Sequence, residues 1–366
     1  MKIGIDVSPI FRQRGGVGTY TLHLTEQLLR FKTDHAFFLF STEPPNDSIH
    51  FLKKPDVHVI HGSKPYLRYR IWKEKIDIVH GPNFRLPGKG TRGNVITIHD
   101  LALVKYPEFG KKRFGSGLAF WRTRKRALSA DRIVADSQNT LEDIVRFTGS
   151  PREKIKVIHL GVDPFYRPEH HQEAFFKIRQ KFKFEKEKYV LFAGTIEPRK
   201  NVKTLVQAFA KKENIRKTHC LVLAGGAGWK YDELKELILK EKLGKEICVT
   251  GYISNDELRI LYSHASCFVF PSIYEGFGMP PLEAMACGTP VICSNVSSLP
   301  EVVGEAAITL DPFDVDGFSD SIEKIINNKN LRKEMIEKGY QRVKQFSWEE
   351  TARKTLRVYE DLFLNG

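Results

Sequence analysis

Residues 267–288 read CFVFPSIYEGFGMPPLEAMACG, and this stretch combines the signals of a strand, a turn and a helix. The apolar run at 267–270 is typical of a parallel strand that is buried on both faces. Pro280 and Pro281 suit a first helical turn, and Gly288 is placed to end the helix. We therefore predict a strand, then a loop, then a helix that begins near Pro280 or Pro281.

Two glutamates, Glu275 and Glu283, flank this turn, with Glu275 in the loop and Glu283 in the first helical turn. The N-terminus of a helix attracts anions because its N–H groups have no partners within the helix. Helix capping would explain Glu283 but not the Gly-Phe-Gly sequence before it. The pattern therefore indicates a ligand with both hydroxyl groups and a phosphate, contacted also by the amides of Gly276, Phe277, Gly278 and Met279.

Short apolar runs alternate with longer amphipathic runs along all 366 residues, and the pattern occurs twice. Such alternation predicts βα units around a parallel sheet, so we expect an α/β protein with two doubly wound, Rossmann-like domains that face a central cleft. The predicted strands are 3–7, 36–41, 57–61, 76–80, 94–98 and 132–135 in the first half, and 189–193, 220–224, 247–250, 267–270, 291–293 and 307–310 in the second. The predicted helices include 202–212, 231–243, 281–286 and 315–327.

A charged, proline-containing stretch at 161–174 is placed to link the two halves. We expect an N-terminal domain at 1–165 and a C-terminal domain at 166–345. Residues 346–366 carry an amphipathic pattern with Ser347 as its N-cap, which predicts a last helix that crosses back to the N-terminal domain.

Composition excludes several protein classes. No apolar run reaches the length of a membrane span, and the first residues are typical of a strand start and not of a signal peptide. The five cysteines lie in or beside apolar stretches without paired CxxC spacing, which indicates reduced core residues, no zinc site and a cytoplasmic protein. The net charge of +14 favours an anionic partner: a nucleic acid, an acidic membrane or a phosphorylated substrate.

A glycine-rich turn, Gly15-Gly16-Val17-Gly18, follows the first predicted strand and precedes a helix predicted at 19–29. Glycines there let the backbone approach a ligand, and N–H groups at such a turn favour anions. The spacing is not GxGxxG, so the dinucleotide-binding pattern is absent. The alternative, that these glycines serve only the structure of the turn, stays open.

A second turn, AGTIEPRKN at 193–201, places Gly194 at a strand end and two adjacent cations, Arg199 and Lys200, after it. Ligands of open α/β sheets bind beyond the carboxyl ends of the strands. Cations at that edge suit a diphosphate, while a solvated loop in a basic protein is the alternative.

In the first half of the chain, His99 lies at the end of a predicted strand. It can bind a hydroxyl group there, or its role can be purely structural.

Together, the glycine turn, AGTIEPRKN and the two glutamates spaced as E-x7-E resemble retaining glycosyltransferases of family 4, which have the GT-B fold. HLGVD at 159–163 resembles the junction between the domains of that family. The resemblance implies that Arg199 and Lys200 hold the diphosphate of a nucleotide-sugar, Glu283 the ribose and Glu275 the donor sugar, as catalytic and binding residues. His99 would contact the sugar, and the remaining donor-binding residues would be Gly15, Gly16, Gly194, Gly276, Phe277, Gly278 and Met279.

The same resemblance implies a hexosyltransferase of surface polysaccharide biosynthesis, most similar to bacterial mannosyltransferases that use GDP-mannose. The acceptor would be a saccharide or a lipid-linked saccharide, and donors such as UDP-glucose or UDP-N-acetylglucosamine stay open. We expect no cofactor and no metal, since the DxD sequence at 314–316 is placed as a helix cap.

Three other classes compete with this interpretation. A nucleic-acid-binding protein fits the charge but lacks a groove-reading helix or an aromatic platform. A glycoside hydrolase that uses Glu275 and Glu283 as its carboxylate pair would leave the two cations without a task. A nucleotide-sugar epimerase would turn over the donor without an acceptor.

A basic segment with aromatic residues, KKRFGSGLAFWRTRKR at 111–126, suits an anionic membrane surface. We therefore expect peripheral association with the inner face of the membrane, and residues 66–75 show a weaker pattern of the same kind. A packed helix whose charged side faces water is the alternative.

Overall fold

Two compact units make up the chain in the computed structural model, which describes residues 1–12, 15–45, 49, 57–110 and 116–365. The N-terminal unit contains Met1–Gly161 and Phe346–Gly366, and the C-terminal unit contains Val162–Gln345. The division follows Gly161, at the start of the stretch expected to link the two halves. The final segment returns to the N-terminal unit.

The N-terminal unit is built on a parallel sheet with the strand order β3-β2-β1-β4-β5-β6-β7. Its central strands are buried on both faces, which is why the sequence gives them continuous apolar runs. The strands are β1 (Lys2–Asp6), β2 (Ala36–Ser41), β3 (His58–His61), β4 (Ile78–Gly81), β5 (Gly93–Ile98), β6 (Arg132–Ala135) and β7 (Ile155–Val157).

Helices follow most of these strands: α1 (Ser8–Arg12), α2 (Gly16–Leu28), α3 (Lys64–Lys73), α4 (Ala102–Lys105), α5 (Ser116–Ser129), α6 (Gln138–Thr148) and, at the end of the chain, α16 (Trp348–Asn365). Helix α2 corrects the prediction of a glycine loop followed by a helix from Thr19. Gly16 to Gly18 form the first helical turn and Gly15 is its N-cap, because glycine is acceptable as an N-cap and its cost is small where tertiary packing holds the helix.

The last helix, α16, packs against α2 and strands β4, β5 and β6 of the same unit. Ser347 accepts a hydrogen bond from the Glu350 N–H at 3.1 Å, which confirms the predicted N-cap. The Tyr359 hydroxyl lies 2.6 Å from Nδ1 of the buried His80, whose Nε2 lies 2.9 Å from Thr97 Oγ1. These contacts attach α16 to the sheet of the N-terminal unit.

The C-terminal unit contains a second parallel sheet, with the order β10-β9-β8-β11-β12-β13. Its strands are β8 (Lys188–Ala193), β9 (His219–Ala224), β10 (Ile247–Gly251), β11 (Cys267–Phe270), β12 (Val291–Ser294) and β13 (Ala307–Leu310). Its helices are α7 (Gln172–Phe182), α8 (Val202–Ala210), α9 (Glu213–Thr218), α10 (Tyr231–Lys240), α11 (Asn255–His264), α12 (Met279–Ala286), α13 (Leu299–Val303), α14 (Val315–Asn327) and α15 (Lys329–Val343).

In each sheet the strand order reverses once, between β1 and β4 in the N-terminal unit and between β8 and β11 in the C-terminal unit. The connections on the two sides of such a point run in opposite directions, which leaves a crevice at the carboxyl ends of the two strands. The fold therefore offers one ligand-binding position in each unit.

Candidate functional site

The crevice of the C-terminal unit lies between the loops that follow β8 and β11. The backbone N–H of Ile273 donates to the carbonyl of Arg199 at 2.8 Å, and the Ser272 hydroxyl, which donates to Glu275 Oε1 at 2.5 Å, lies 3.2 Å from the same carbonyl. These bonds hold the two loops together although they are far apart in the sequence. As a result Arg199 and Lys200 lie beside Glu275.

Both cations bind the carboxylate of Glu275. Lys200 Nζ donates to Oε1 at 2.6 Å, and the Arg199 guanidinium donates to Oε2 at 2.9 Å. Arg199 also donates to the carbonyl of Tyr274 at 2.8 Å and to the Glu197 carboxylate at 3.0 Å. Because Lys200 and Glu275 are only 8% and 7% exposed, these charges interact with little screening by water.

The environment shifts the pKa values of both buried partners. Burial opposes ionisation of Glu275, but the charges of Lys200 and Arg199 outweigh it and hold the pKa of Glu275 below its ordinary value. Burial lowers the pKa of the Lys200 ammonium, and the Glu275 carboxylate offsets only part of that shift. The site is thus an ionised carboxylate held by two cations.

The sequence suggested separate tasks for these residues, with the cations on a diphosphate and Glu275 on a sugar. The structure shows them bound to one another, so the charges of Arg199 and Lys200 are balanced by Glu275 and Glu197. A buried charge that loses its partner is costly, and this favours the paired arrangement. An anion that takes over the cations would release Glu275 to accept hydrogen bonds from hydroxyl groups.

The turn from Glu275 to α12 is anchored by two serines that sequence reasoning missed. The Glu275 N–H donates to Ser297 Oγ at 3.0 Å, while the Ser298 hydroxyl donates to the Phe277 carbonyl at 2.5 Å and lies 3.0 Å from the Glu275 carbonyl. Both serines follow β12, the neighbour of β11. Their position after a buried strand, at the same edge of the sheet, was the available signal.

Gly278 caps α12 with a φ of +120°, a conformation that favours glycine. A Cβ on Gly278 would also lie 2.8 Å from Leu299. Gly276, Phe277 and Gly278 are buried and Met279 is partly exposed. Helix α12 begins at Met279, slightly before the predicted start.

Glu283 was predicted in the first turn of the helix. It lies instead at the start of the second turn of α12, because the helix begins at Met279. The Tyr262 hydroxyl donates to its carboxylate at 3.2 Å. Burial, with a smaller contribution from Asp163, raises the pKa of Glu283 to about 7. Glu283 and Glu275 therefore differ in protonation near neutral pH, and neither Tyr262 nor Asp163 was predicted as part of the site.

His99 follows β5 in the N-terminal unit, as predicted, and both of its ring nitrogens have partners. Nδ1 lies 2.7 Å from Asp136 Oδ2 and Nε2 lies 2.8 Å from the Pro82 carbonyl. Burial lowers the pKa of His99, but these two acceptors outweigh it and the pKa is raised. Two acceptors fit an imidazolium that donates from both nitrogens, so a hydroxyl contact would replace one of these bonds.

The glycines of the two strand-end turns differ. A Cβ on Gly15 or Gly16 would meet no heavy atom within 4 Å in the part of the chain that the structure describes, so this helix start has open space around it. Gly194 has a φ of +142° after β8, and the Gly194 carbonyl lies only 2.0 Å from where a Cβ on Gly225 would be. Glycine is thus required sterically at the crevice of the C-terminal unit.

The DxD sequence acts as a helix cap, since Asp314 Oδ1 accepts a hydrogen bond from the Gly317 N–H at 2.8 Å. Among the described residues, no three His, Cys, Asp or Glu side chains are grouped so that they could hold a metal ion. The five cysteine thiols are unpaired with one another.

The basic segment predicted at 111–126 is only partly described, because residues 111–115 lie outside the described residues. The rest lies in α5, where Trp121 is 54% exposed and Lys125 Nζ lies 5.1 Å from its ring centroid. In α3, Tyr69 and Trp72 are 50% and 73% exposed. None of the helices that the structure describes combines the length and hydropathy that crossing a bilayer requires.

Two family models match the chain, one over its N-terminal part and one over its C-terminal part. Residues 14–165 match the model described as Glycosyltransferase Family 4, and residues 174–342 match Glycosyl transferases group 1. O-antigen chain mannosyltransferase B of Escherichia coli is 33% identical over 385 residues, which cover 98% of this chain and 100% of the relative. Serotype-specific mannosyltransferase WbdA of Escherichia coli is 30% identical over 64% of this chain, and the match spans 29% of WbdA.

Solved structures of the same fold cover both units. Sucrose-phosphate synthase of Thermosynechococcus elongatus has a TM-score of 0.79 at 22% identity, with 100% of each chain covered. HepE of Anabaena, solved in complex with UDP and glucose, has a TM-score of 0.76 at 17% identity over 98% of this chain and 99% of HepE. With a relative matched along its whole length, these findings show that the chain has the GT-B fold and belongs to glycosyltransferase family 4.

Proposed function

We propose that the protein transfers mannose from GDP-mannose to a hydroxyl group of a saccharide or lipid-linked acceptor in surface polysaccharide biosynthesis. The observation that carries this proposal is the convergence of Arg199 and Lys200 on Glu275 at the crevice of the C-terminal unit. The names of the relatives, which are O-antigen and serotype-specific mannosyltransferases, support mannose as the sugar.

Arg199 and Lys200 bind the diphosphate of the donor in this proposal. Phosphate oxygens replace the Glu275 carboxylate on the two cations, and Glu275 then accepts hydrogen bonds from sugar hydroxyl groups. Charge-assisted bonds of this kind are each worth about 1.5–3 kcal/mol, so a diphosphate offsets the loss of the internal ion pairs. Glu283, on α12, binds the ribose hydroxyl groups in its ionised form.

The reaction breaks the bond between the anomeric carbon and the phosphate oxygen, and the electron pair leaves with the nucleoside diphosphate. The acceptor oxygen bonds to the same face of the sugar, so the configuration is retained, and its proton passes to the departing phosphate oxygen. Arg199 and Lys200 stabilise the charge that develops on the diphosphate, an effect worth about 10²–10³ in turnover for one donor group. Since these cations supply that stabilisation, the proposed reaction needs no metal ion.

The other predicted contacts are parts of the same proposal. Gly194 and the turn of Gly276, Phe277, Gly278 and Met279 lie beside the donor, and Gly15 and Gly16 line the phosphate and acceptor side. The contact of His99 with the sugar stays a prediction, and it requires one of the two present hydrogen bonds of the imidazole to break.

The family assignment disfavours the hydrolase alternative, and Glu275, held by two cations, is a poor nucleophile.

The proposed location is the cytoplasm, with peripheral association at the inner face of the membrane through residues 111–126. The exposed Trp121 and the basic residues around it in α5 support this. Co-sedimentation with anionic and with neutral liposomes tests it. Binding to anionic liposomes alone is expected, and equal binding to both kinds contradicts the proposal.

Transfer by the purified protein tests the function. With a mannoside acceptor, we expect product from GDP-mannose and none from UDP-glucose or UDP-N-acetylglucosamine, and an α-linkage by NMR. Transfer from UDP-glucose alone overturns the donor assignment. Conversion of the donor to an epimer in the absence of acceptor overturns the transferase assignment.

A further inference from the structure

The N-terminal unit contains a second charged cavity, with a volume of about 300 Å³. Its lining combines five cations with one carboxylate, and an apolar wall is formed by the segment that follows β4. The charged residues of the lining are Asp6, Arg12, Lys64, Arg68, Arg85 and Arg126.

The cavity lies where the strand order of the first sheet reverses. Asp6 is the last residue of β1 and Arg85 follows β4, the two strands on either side of that reversal. This is the position at which open α/β sheets bind ligands. The cavity is the counterpart, in the N-terminal unit, of the site at Glu275.

The one carboxylate of the lining is engaged in the floor of the cavity. Asp6 Oδ1 accepts hydrogen bonds from the Ser8 N–H at 3.0 Å and from Ser8 Oγ at 2.5 Å. Ser8 Oγ in turn accepts from the Thr42 N–H at 2.9 Å. Asp6 therefore organises the ends of β1 and β2, and it balances at most one of the cations.

Most of the positive charge in the cavity is not neutralised. Arg12 pairs with Glu43, but Lys64, Arg68, Arg85 and Arg126 form no ion pair within the part of the chain that the structure describes. Arg126 instead has Arg85 and Arg122 as charged neighbours. Like charges in a concave site repel one another and attract an anion.

The chemistry of the cations indicates which kind of anion the cavity binds. Guanidinium groups bind phosphate oxygens in pairs of parallel hydrogen bonds, and several of them around one cavity suit a doubly charged group. At Glu275 the charges of the protein balance one another, whereas here the balance requires a ligand. A phosphate or diphosphate ester fulfils that requirement and a neutral saccharide does not.

We propose that this cavity binds the phosphate or diphosphate ester of the acceptor, so that the acceptor is an anionic glycoside. The proposal rests on the proposed function, because it names the chemical class of that acceptor. The cations hold the ester, and the transferred sugar goes to a hydroxyl group of the attached saccharide.

Two acceptors with the same sugar and chain test this: undecyl mannoside, which is neutral, and mannosyl undecyl diphosphate. We expect the parental protein to favour the diphosphate in kcat/KM by at least tenfold. Arg85→Gln and Arg126→Gln should each raise KM for the diphosphate about tenfold or more and reduce the preference by the same factor. Arg85→Lys should restore part of the preference if loss of charge, and not misfolding, is the cause.

Arg146→Gln is the matched control, since Arg146 is an exposed arginine of α6 in the same unit, outside the cavity. It should keep the full preference for the diphosphate. An equal preference in the parental protein, Arg85→Gln and Arg126→Gln overturns the proposal.

Calorimetric binding of inorganic pyrophosphate separates this proposal from the proposed function. If the parental protein transfers mannose to neither acceptor, the proposed function fails. The cavity then still binds pyrophosphate in the parental protein and in Arg146→Gln, and more weakly in Arg85→Gln and Arg126→Gln. If the arginine variants weaken pyrophosphate binding but not the preference for the charged acceptor, the cavity serves a free phosphate and the acceptor assignment is wrong.

Discussion

Lys200 shows how a single side chain can depend on its surroundings for its chemistry. It is buried, it lies 4.7 Å from the ring centroid of Phe270, and its only carboxylate partner among the described residues is Glu275. Burial makes the ammonium group easier to deprotonate and makes its charge act more strongly on a bound anion. In the proposed reaction this cation therefore binds the diphosphate and stabilises the charge that develops on it as it leaves.

Lys200→Ala should chiefly lower turnover, by about 10²–10³ at saturating GDP-mannose, because one preorganised cation at the leaving group is lost. The measurement is kcat for mannosyl transfer, with circular dichroism to verify the fold. Lys203→Ala is the matched control: Lys203 lies on the adjoining helix, is half exposed and pairs with Glu233. A kcat of Lys200→Ala equal to that of the control contradicts the proposed role.

Glu283 predicts a pH dependence of donor binding. Its pKa is raised to about 7, chiefly by burial, so the carboxyl is largely protonated at pH 6 and largely ionised at pH 8. The ionised carboxylate accepts hydrogen bonds on both oxygens and carries a charge that strengthens them, whereas the protonated form uses one oxygen as a donor and accepts more weakly. The affinity for GDP-mannose, whose diphosphate diester does not titrate in this range, should increase several-fold from pH 6 to pH 8.

In Glu283→Gln that increase should disappear and binding should be weaker at pH 8, as measured by calorimetry. Glu305→Gln, at an exposed position of the same unit, should keep it. If Glu283→Gln keeps the parental pH dependence, another group is responsible. The stability of the protein depends on pH in the opposite direction. Because the pKa of Glu283 is higher in the folded protein than in the unfolded chain, Glu283 favours the folded state increasingly as the pH falls from about 7 towards the ordinary value of 4.5.

At the scale of elements, α16 completes the N-terminal unit although it comes from the other end of the chain. Its buried face includes Trp348, Leu356 and Tyr359, and Trp348 stacks on His23 of α2 at 5.0 Å. Burial lowers the pKa of His80 to about 3, so this histidine is neutral and forms hydrogen bonds with Tyr359 on one side and Thr97 on the other.

Tyr359→Phe should lower the free energy of unfolding by about 1–3 kcal/mol, because Nδ1 of His80 loses its partner in a buried site. Chemical denaturation monitored by fluorescence measures the change. Tyr69→Phe, which removes a hydroxyl group from an exposed side chain of α3, should change stability by less than about 0.5 kcal/mol. Equal stabilities of the two variants would show that the bond to His80 contributes nothing.

The sequence predicted these elements well where the apolar pattern was strong. Each of the twelve predicted strands is present, and the central strands are buried on both faces, which requires continuous apolar runs. Strand β7 (Ile155–Val157) was missed, since its three residues alternate in burial and carry no such run. The start of α2 was misplaced because glycines suggest a loop, whereas Gly16 to Gly18 are held in helix by the packing of the residues that follow.

The roles given to the candidate site residues stay predictions, and the contacts among these residues could not be read from the sequence. The spacing of Glu275 and Glu283 and the pair Arg199-Lys200 are visible in the sequence. That the cations bind Glu275 is not, since it depends on β8 and β11 being neighbours, and 75 residues separate Lys200 from Glu275. The cavity at Arg85 was missed for the same reason, because its cations come from separate elements.

At the scale of the whole molecule, the two units share one architecture and differ in how charge is arranged at the crevice. The C-terminal unit balances Arg199 and Lys200 with its own carboxylates, so a ligand must displace an internal partner. In the N-terminal unit, the cavity around Arg85 is lined by cations that form no ion pair with any described residue: Lys64, Arg68, Arg85 and Arg126. Exchange of partners suits a donor that binds and leaves in each cycle, and a standing positive charge suits an anionic acceptor.

A crystal structure of the protein with GDP-mannose tests most directly whether the donor diphosphate takes the place of Glu275 on the two cations. We predict diphosphate oxygens within hydrogen-bond distance of Lys200 and Arg199, sugar hydroxyl groups at Glu275 and the ribose at Glu283. A ligand bound elsewhere, with the ion pairs of Glu275 to Lys200 and Arg199 intact, would contradict the proposed replacement of Glu275 by the diphosphate.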